Sequence, residues 1–228
     1  MQLRRRLLKV LAAAGVFGPA GIAGLVSQAL AMDKVPLAPG LYKMRGDVSV
    51  NGKPARPGQQ IGPGDTVVTG RDSEAIYVIG HDAFLQRDDS TLIFGADAAT
   101  SFFRVVTGKV LSVFGKSQDK RTLMATTVTI GIRGTGCYIE DEGSGTAART
   151  YFCLCYGSVD LTPSSAPHES ESYSTSHHEH PLYIYNDMKM PKMMVPAGVV
   201  NHSDDELTLL ESLVGRWPPF FGRGGATY

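Results

Sequence analysis

The sequence has little cysteine, almost no tryptophan and no excess of either charge. Only Cys137, Cys153, Cys155 and Trp217 represent those two residue types among 228 residues, and 22 basic side chains balance 22 acidic ones. An odd number of thiols excludes a fully paired disulfide scaffold. No cluster of Lys and Arg follows position 31, which excludes a nucleic-acid surface, because binding the phosphate backbone needs grouped cations. Gly-x-Ser-x-Gly, His-Glu-x-x-His and Gly-x-Gly-x-x-Gly are all missing, and with them the common signatures of hydrolases, metalloproteases and dinucleotide enzymes. Gly115-Lys116-Ser117 has the end of a phosphate loop, but Val110 stands where that loop needs its first glycine. These absences point to a protein that is not an enzyme and has no catalytic residues. What remains is 43% hydrophobic, enough to build a core rather than a disordered chain.

The charge balance hides a leader. Arg4, Arg5, Arg6 and Lys9 precede an uncharged run from Val10 to Leu30, followed by Ala31 and then Met32-Asp33. Basic, apolar and small-residue parts in that order read as an export signal over residues 1–31, with Ala29 and Ala31 before the cut. Arg4-Arg5 followed by Arg6-Leu7-Leu8-Lys9 resembles the twin-arginine pattern, and Gly15, Gly18, Pro19, Gly21 and Gly24 dilute the apolar part. Cleavage after Ala31 leaves 18 basic and 22 acidic groups, a net charge of 18 − 22 = −4. The expected location is the periplasm. An uncleaved leader is the alternative, since 21 uncharged residues are long enough to anchor the chain in the inner membrane. Membrane contact is expected through that leader alone.

After a linker over 32–40, short apolar runs alternate with turn signals about every ten residues, the rhythm of β structure. Asn51-Gly52 closes a hairpin between Val48 and Ala55, and Pro57-Gly58 and Pro63-Gly64-Asp65 mark further turns. Strands follow at 66–69, 75–79, 83–86, 91–94, 102–106, 109–114 and 126–132. No helix of a dozen residues separates them, which excludes βαβ units. The expected class is all-β, an antiparallel β-sandwich or a short β-solenoid-like domain, with a capping helix near 203–215. That helix is announced by Ser203-Asp204-Asp205-Glu206 and by Leu207, Leu210, Leu213 and Val214 at helical spacing before Gly215. Residues 216–228 read as a Gly- and Pro-rich tail.

Three stretches together resemble the FecR-type domain, named for the periplasmic regulator of ferric-citrate uptake. They are Gly46-Asp47-Val48-Ser49-Val50-Asn51-Gly52 running into Gly64 to Gly70, then Asp72-Ser73-Glu74-Ala75 with Ser90-Thr91-Leu92, and finally Gly108-Lys109-Val110 with Thr129-Ile130-Gly131-Ile132-Arg133-Gly134-Thr135. The resemblance spans about 41–160. It implies a non-catalytic extracytoplasmic β domain that binds an envelope protein or a small ligand, with a regulatory or sensory role. Only nine residues precede the apolar segment, and the part beyond 160 lacks the pattern of a receptor-contacting domain, so sigma-factor regulation does not carry over. In the motif Arg133, Gly134 and Thr135, the glycines at 131 and 134 point to close backbone approach or a bulge. Arg133 is expected to pair with a turn carboxylate, Asp65 or Asp72.

The thiols admit three readings. If the chain turns at Gly143-Ser144-Gly145, Cys137 comes opposite Cys153, or opposite Cys155 after a shift of the turn, and Cys153 and Cys155 share one face of a strand. A cross-strand disulfide with one packed thiol is the first reading, since exported cysteines tend to pair. The second is a zinc or copper site using Cys137, Cys153 and Cys155, completed by His178 and His180 if residues 178–184 extend as a strand. A thiol-redox role is the third. The polar stretch 162–176 and His177 precede these imidazoles, while His81, His168 and His202 read as ordinary turn or cap-flanking residues. Met188, Met190, Met193 and Met194 add thioethers suited to Cu(I), although packing is their commoner use.

Overall fold

A computed structural model describes residues 37–95, 103–116 and 121–222. The leader, with Arg4, Arg5, Ala29 and Ala31, lies outside the described residues. In chain order the strands are β1 (Gly40–Arg45), β2 (Val48–Val50), β3 (Lys53–Pro54), β4 (Thr66–Thr69), β5 (Glu74–Ile79), β6 (Asp82–Gln86), β7 (Ser90–Phe94) and β8 (Phe103–Val113). They continue with β9 (Arg121–Met124), β10 (Val128–Ile132), β11 (Gly136–Glu142), β12 (Arg149–Pro163), β13 (Glu171–Thr175), β14 (Leu182–Tyr185) and β15 (Met194–Pro196). The helix α1 (Asp204–Leu213) closes the order. Among the described residues no helix is long and apolar enough to cross a membrane.

The fold is an all-β sandwich. Its first sheet runs β1-β5-β6-β8-β11-β12-β14-β15, and its second runs β3-β2-β4-β7-β8-β9-β10-β12-β13. The two sheets share β8 and β12, of 11 and 15 residues, so they join in a closed, barrel-like ring. Residues 103–107 of β8 pair with β7 in the second sheet, and residues 108–113 pair with β6 and β11 in the first. β12 changes sheets in the same way between Tyr156 and Gly157. A strand that turns a corner needs a local bend, and both corners fall on glycines with positive φ, Gly108 at +93° and Gly157 at +101°. Runs 102–106 and 109–114, read from sequence as two strands, are one strand hinged at Gly108. All pairings are antiparallel except β8 with β9.

Two apolar layers result. Between the sheets, Tyr77 stacks on Phe84 at 5.2 Å, and Phe84 makes edge contacts with Phe94, Phe103 and Phe114. Such pairs add about 0.5–1.5 kcal/mol each beyond burial. The second layer lies on the outer face of the first sheet, where Ile76, Val78, Leu85, Leu111, Tyr138, Cys153 and Cys155 meet Leu207, Leu210 and Leu213 of α1. This double burial explains the unbroken apolar sequence of β5, where Ala75 and Tyr77 face inward and Ile76 and Val78 face the helix. The capping box at Ser203 and Glu206 is present, and Glu206 also binds Arg87 at 2.7 Å.

The structure departs from the sequence reading after Thr126. β10 begins at Val128, and β12 continues to Pro163, past the expected edge of the β domain at 160. The polar stretch 162–176, expected to be loop, contains β13, because alternating Ser172, Tyr173 and Ser174 zip onto residues 157–161 of β12. Conversely, residues 178–181 are not a strand. His178 has φ of +52°, and Glu179 folds the chain back by accepting from the Thr175 hydroxyl at 2.7 Å and the Ser176 N–H at 3.0 Å. Arg133, expected against Asp65 or Asp72, is exposed and pairs with Asp160 at 3.1 Å, since β10 lies beside β12 and far from those turns. Gly134 and Thr135 form the connection from β10 to β11, with the Thr135 carbonyl accepting from the Phe114 N–H.

Candidate metal centre

Cys153 and Cys155 stand two residues apart on β12, so both side chains leave the same face of the first sheet, under the helix. Cys137 does not join them. The β11–β12 register places Tyr138 opposite Cys153 and Cys137 opposite Leu154. Cross-strand partners share a face, so Cys137 points into the inner core beside Ile139 and Phe152 while Cys153 and Cys155 point outward. The expected disulfide across this pair is therefore ruled out by the sheet itself, and all three cysteines are free thiols.

Two imidazoles reach the outer pair. His178 is placed by the Glu179 turn, and its N–H donates to the Cys155 carbonyl at 3.0 Å. Its Nδ1 lies 3.4 Å from Cys153 Sγ. His202, read from sequence as a cap-flanking residue, comes from the segment entering α1 and stacks on Tyr138 at 4.6 Å. Its Nε2 lies 3.1 Å from His178 Nδ1. One donor atom each from Cys153, Cys155, His178 and His202 lies within 4.8 Å of all the others, and all four residues are buried. His180 stays outside, half-exposed, 3.9 Å from Glu171. Two of the methionines named as thioether candidates also lie elsewhere. Met188 is exposed, and Met194 packs toward the inner core on the other side of the sheet.

The hydrogen bonds around the two imidazoles fix which ring nitrogen of each faces outward. Val200 O is 2.7 Å from His202 Nδ1, and a carbonyl only accepts, so Nδ1 carries a proton and Nε2 is the nitrogen that faces the thiols. Asp204 Oδ1 is 3.1 Å from His178 Nε2, and a carboxylate only accepts, so His178 carries a proton on Nε2 and turns its Nδ1 toward the thiols. His178 Nδ1 and His202 Nε2 thus face each other at 3.1 Å beside two thiols, with room between them for a shared proton or a metal ion. This is how ligating histidines are oriented in metal sites, where a carboxylate or carbonyl holds the outer ring nitrogen. The distances also suit an ion. Zn–N of 2.0–2.1 Å and Zn–S of 2.3 Å in a tetrahedron give edges of about 3.3–3.8 Å.

The thiols are unequal. The Cys153 thiol is pulled down by hydrogen bonding from Cys155, against burial, with His178 and His202 adding to the effect. Burial raises Cys155, and Cys153 beside it raises it further. Cys137 is also raised by burial. A thiolate at Cys153 is the form that binds metal. Around the four, His177 Nε2 lies 2.9 Å from Asp204, and the Phe220 ring sits 4.4 Å from the His177 ring.

His202 was missed in the sequence because a histidine before a helix cap is common there. The available signal was its position immediately before Ser203, which directs the residue toward the face that the helix covers.

No protein-family model matches the sequence, and no curated protein matches it. Two crystal structures of a "putative anti-sigma factor" from Parabacteroides distasonis ATCC 8503 resemble the fold, with TM-scores of 0.47 and 0.46 and identities of 4% and 5%. Each alignment covers 58% of this chain and 59% of that chain, so the chain spans less than two thirds of their length.

Proposed function

We propose that the chain is a metal-binding module of the cell envelope. In this reading a non-enzymatic FecR-type β-sandwich holds zinc at Cys153, Cys155, His178 and His202 and binds an envelope protein or small ligand through its remaining surface. The observation that carries the metal is the pair of imidazole nitrogens, oriented from outside by Val200 and Asp204, that converge with two buried thiols. Zinc is favoured over Cu(I) because four donors of Cys₂His₂ type form a closed tetrahedral set. A dication with two thiolates also leaves no net charge in the pocket, which removes the cost of burying an ion. The FecR-type assignment draws on the Arg133-Gly134-Thr135 stretch and the preceding motifs. Export by the twin-arginine route draws on Arg4, Arg5 and the residues up to Ala31.

Partner binding without metal is the second reading. It draws on the outer face of the second sheet, where among the described residues no helix packs and Ile93, Val106 and Met124 are exposed at 39%, 39% and 37%.

The test is native mass spectrometry of the protein exported through its own leader, with thiol alkylation under denaturing conditions. One zinc per mature chain, lost on joint Cys153→Ser and Cys155→Ser substitution, is the expected result. A chain that takes up no metal from stoichiometric zinc overturns the metal centre. Recovery only in the membrane with residues 1–31 retained overturns the cleaved leader.

A further inference from the structure

The four donors are enclosed. Cys153 and Cys155 have no exposed surface, and His178 and His202 are each 5% exposed. A metal needs a route to them, and the molecule offers graded burial on one side. A second group of donors, His177, His178 and Asp204, lies with one atom of each within 4.8 Å of the others and shares His178 with the first. The His177 side chain is 27% exposed, against 8% for Asp204 and 1% for His178. Exposure therefore falls stepwise from His177 through Asp204 to His178 and the thiols.

The arrangement is built rather than incidental. His177 and His178 are consecutive, yet the positive φ of His178 and the Glu179 turn bring both rings to Asp204, with His177 Nε2 at 2.9 Å and His178 Nε2 at 3.1 Å. Asp204 itself is fixed as the first residue of α1, behind the Ser203 cap. Phe220, which follows the helix, covers the group, with its ring 4.4 Å from the His177 ring and 6.1 Å from the His178 ring.

We infer that His177 and Asp204 form an outer docking site through which a divalent metal reaches the buried Cys₂His₂ set, with Phe220 as its cover. This rests on the metal reading above. His177 and the Asp204 carboxylate take the incoming ion as it sheds water, and the His177 ring changes tautomer, Nε2 losing its proton to solvent and Nδ1 taking one up, so that the Nε2 lone pair binds the ion with no net proton release. The ion then moves to the thiolate of Cys153 and the Nδ1 of His178, which form the deeper and softer set. Asp204 returns to holding His178 Nε2–H. His177 is thus a kinetic ligand, and Asp204 serves both in docking and as a positioning residue.

The experiment measures zinc uptake by the full mature protein in stopped flow, with release from a chromophoric chelator as the signal, beside equilibrium zinc affinity by competition. His177→Ala should slow uptake about tenfold while stoichiometry stays at one zinc and equilibrium affinity is nearly unchanged. Asp204→Asn should slow uptake and also weaken affinity by about 10–100-fold, because the outer partner of His178 is altered. Phe220→Ala should speed both uptake and loss. Uptake by His177→Ala at the wild-type rate overturns the route. A loss of equilibrium affinity in His177→Ala as large as in Cys153→Ser also overturns it, by making His177 a direct ligand. Wild-type protein that binds no zinc instead removes the metal centre itself, so the two failures are distinguishable.

Discussion

His178 Nδ1 and His202 Nε2 face each other at 3.1 Å, each with its opposite ring nitrogen donating to a fixed acceptor. The four converging donors exist only in the folded chain, so binding a metal there should stabilise the fold directly. Added zinc at a thousand times its Kd should contribute about 4 kcal/mol. For a chain of this size that corresponds to a rise in Tm of roughly 10 °C. Differential scanning calorimetry with and without zinc measures it, and a Tm indifferent to zinc while a strong chelator is present and then saturated contradicts the centre.

The same geometry separates the histidines. His202→Ala should weaken zinc binding by two orders of magnitude or about that, since a direct ligand is removed. His180→Ala should leave it unchanged, because His180 is half-exposed beside Glu171. Calorimetric titration of the two variants provides the comparison. Equal losses in both variants, or a loss only in His180→Ala, speak against the assigned ligand set.

Much of the architecture was legible in the sequence because local chemistry and long-range packing agree there. Asn51 and Gly52 take positive φ at the hairpin, and Ser203 and Glu206 form the capping box before a leucine stripe. The site was legible in part. Cys153, Cys155 and His178 fell in the expected set, since alternation along a strand and a short His-rich tract are local signals. Cys137 and His180 were misplaced because each depended on register. The β11–β12 turn shifts the pairing so that Tyr138, not Cys137, meets Cys153, and a change of one residue in a β pair moves a side chain to the other face. At 178–181 the Glu179 turn overrode the expected strand. His202 and Asp204 were invisible as site residues because only the docking of α1 brings them within reach. Arg133, expected to pair with Asp65 or Asp72, pairs with Asp160 instead and is 73% exposed, and a screened surface pair of that kind contributes about 0–1 kcal/mol.

The corner at Gly108 should be intolerant of a side chain. Its φ is +93°, and a Cβ there would lie 2.2 Å from Ser90 Oγ and 2.5 Å from Ser90 Cα. Ser90 cannot yield cheaply, since its hydroxyl accepts from Lys109 N–H at 2.8 Å and donates to Asp88 O at 2.8 Å. Gly108→Ala should therefore cost at least about 2 kcal/mol, from backbone strain and overpacking together. Chemical denaturation at constant zinc gives the value. A loss below half of that would show that β8 does not need this hinge to pass between the sheets.

Glu211 offers a dependence on pH that is independent of the metal. Its carboxyl is raised above the ordinary range by burial, which outweighs the opposing pull of Arg216 and the hydrogen bond from Tyr156, and Asp82 nearby raises it further. Asp82 is raised by burial as well, despite Arg121 and the Gly115 N–H. A carboxyl whose folded pKa exceeds its unfolded value binds more protons when folded. Its favourable contribution is fully present below the unfolded value of about 4.3 for Glu and is lost as pH rises through the folded value. In that window, lowering the pH should strengthen the fold through these two groups, opposite to the usual effect of carboxylates held below their ordinary range. Glu211→Gln removes one of them. With chelator present throughout, the variant should gain less stability than the parent between neutral pH and the ordinary carboxylate range, as read from denaturation midpoints at each pH. Parallel curves for the two proteins would mean that the Arg216 guanidinium, at 2.6 Å from Glu211, fully offsets the cost of burying the charge.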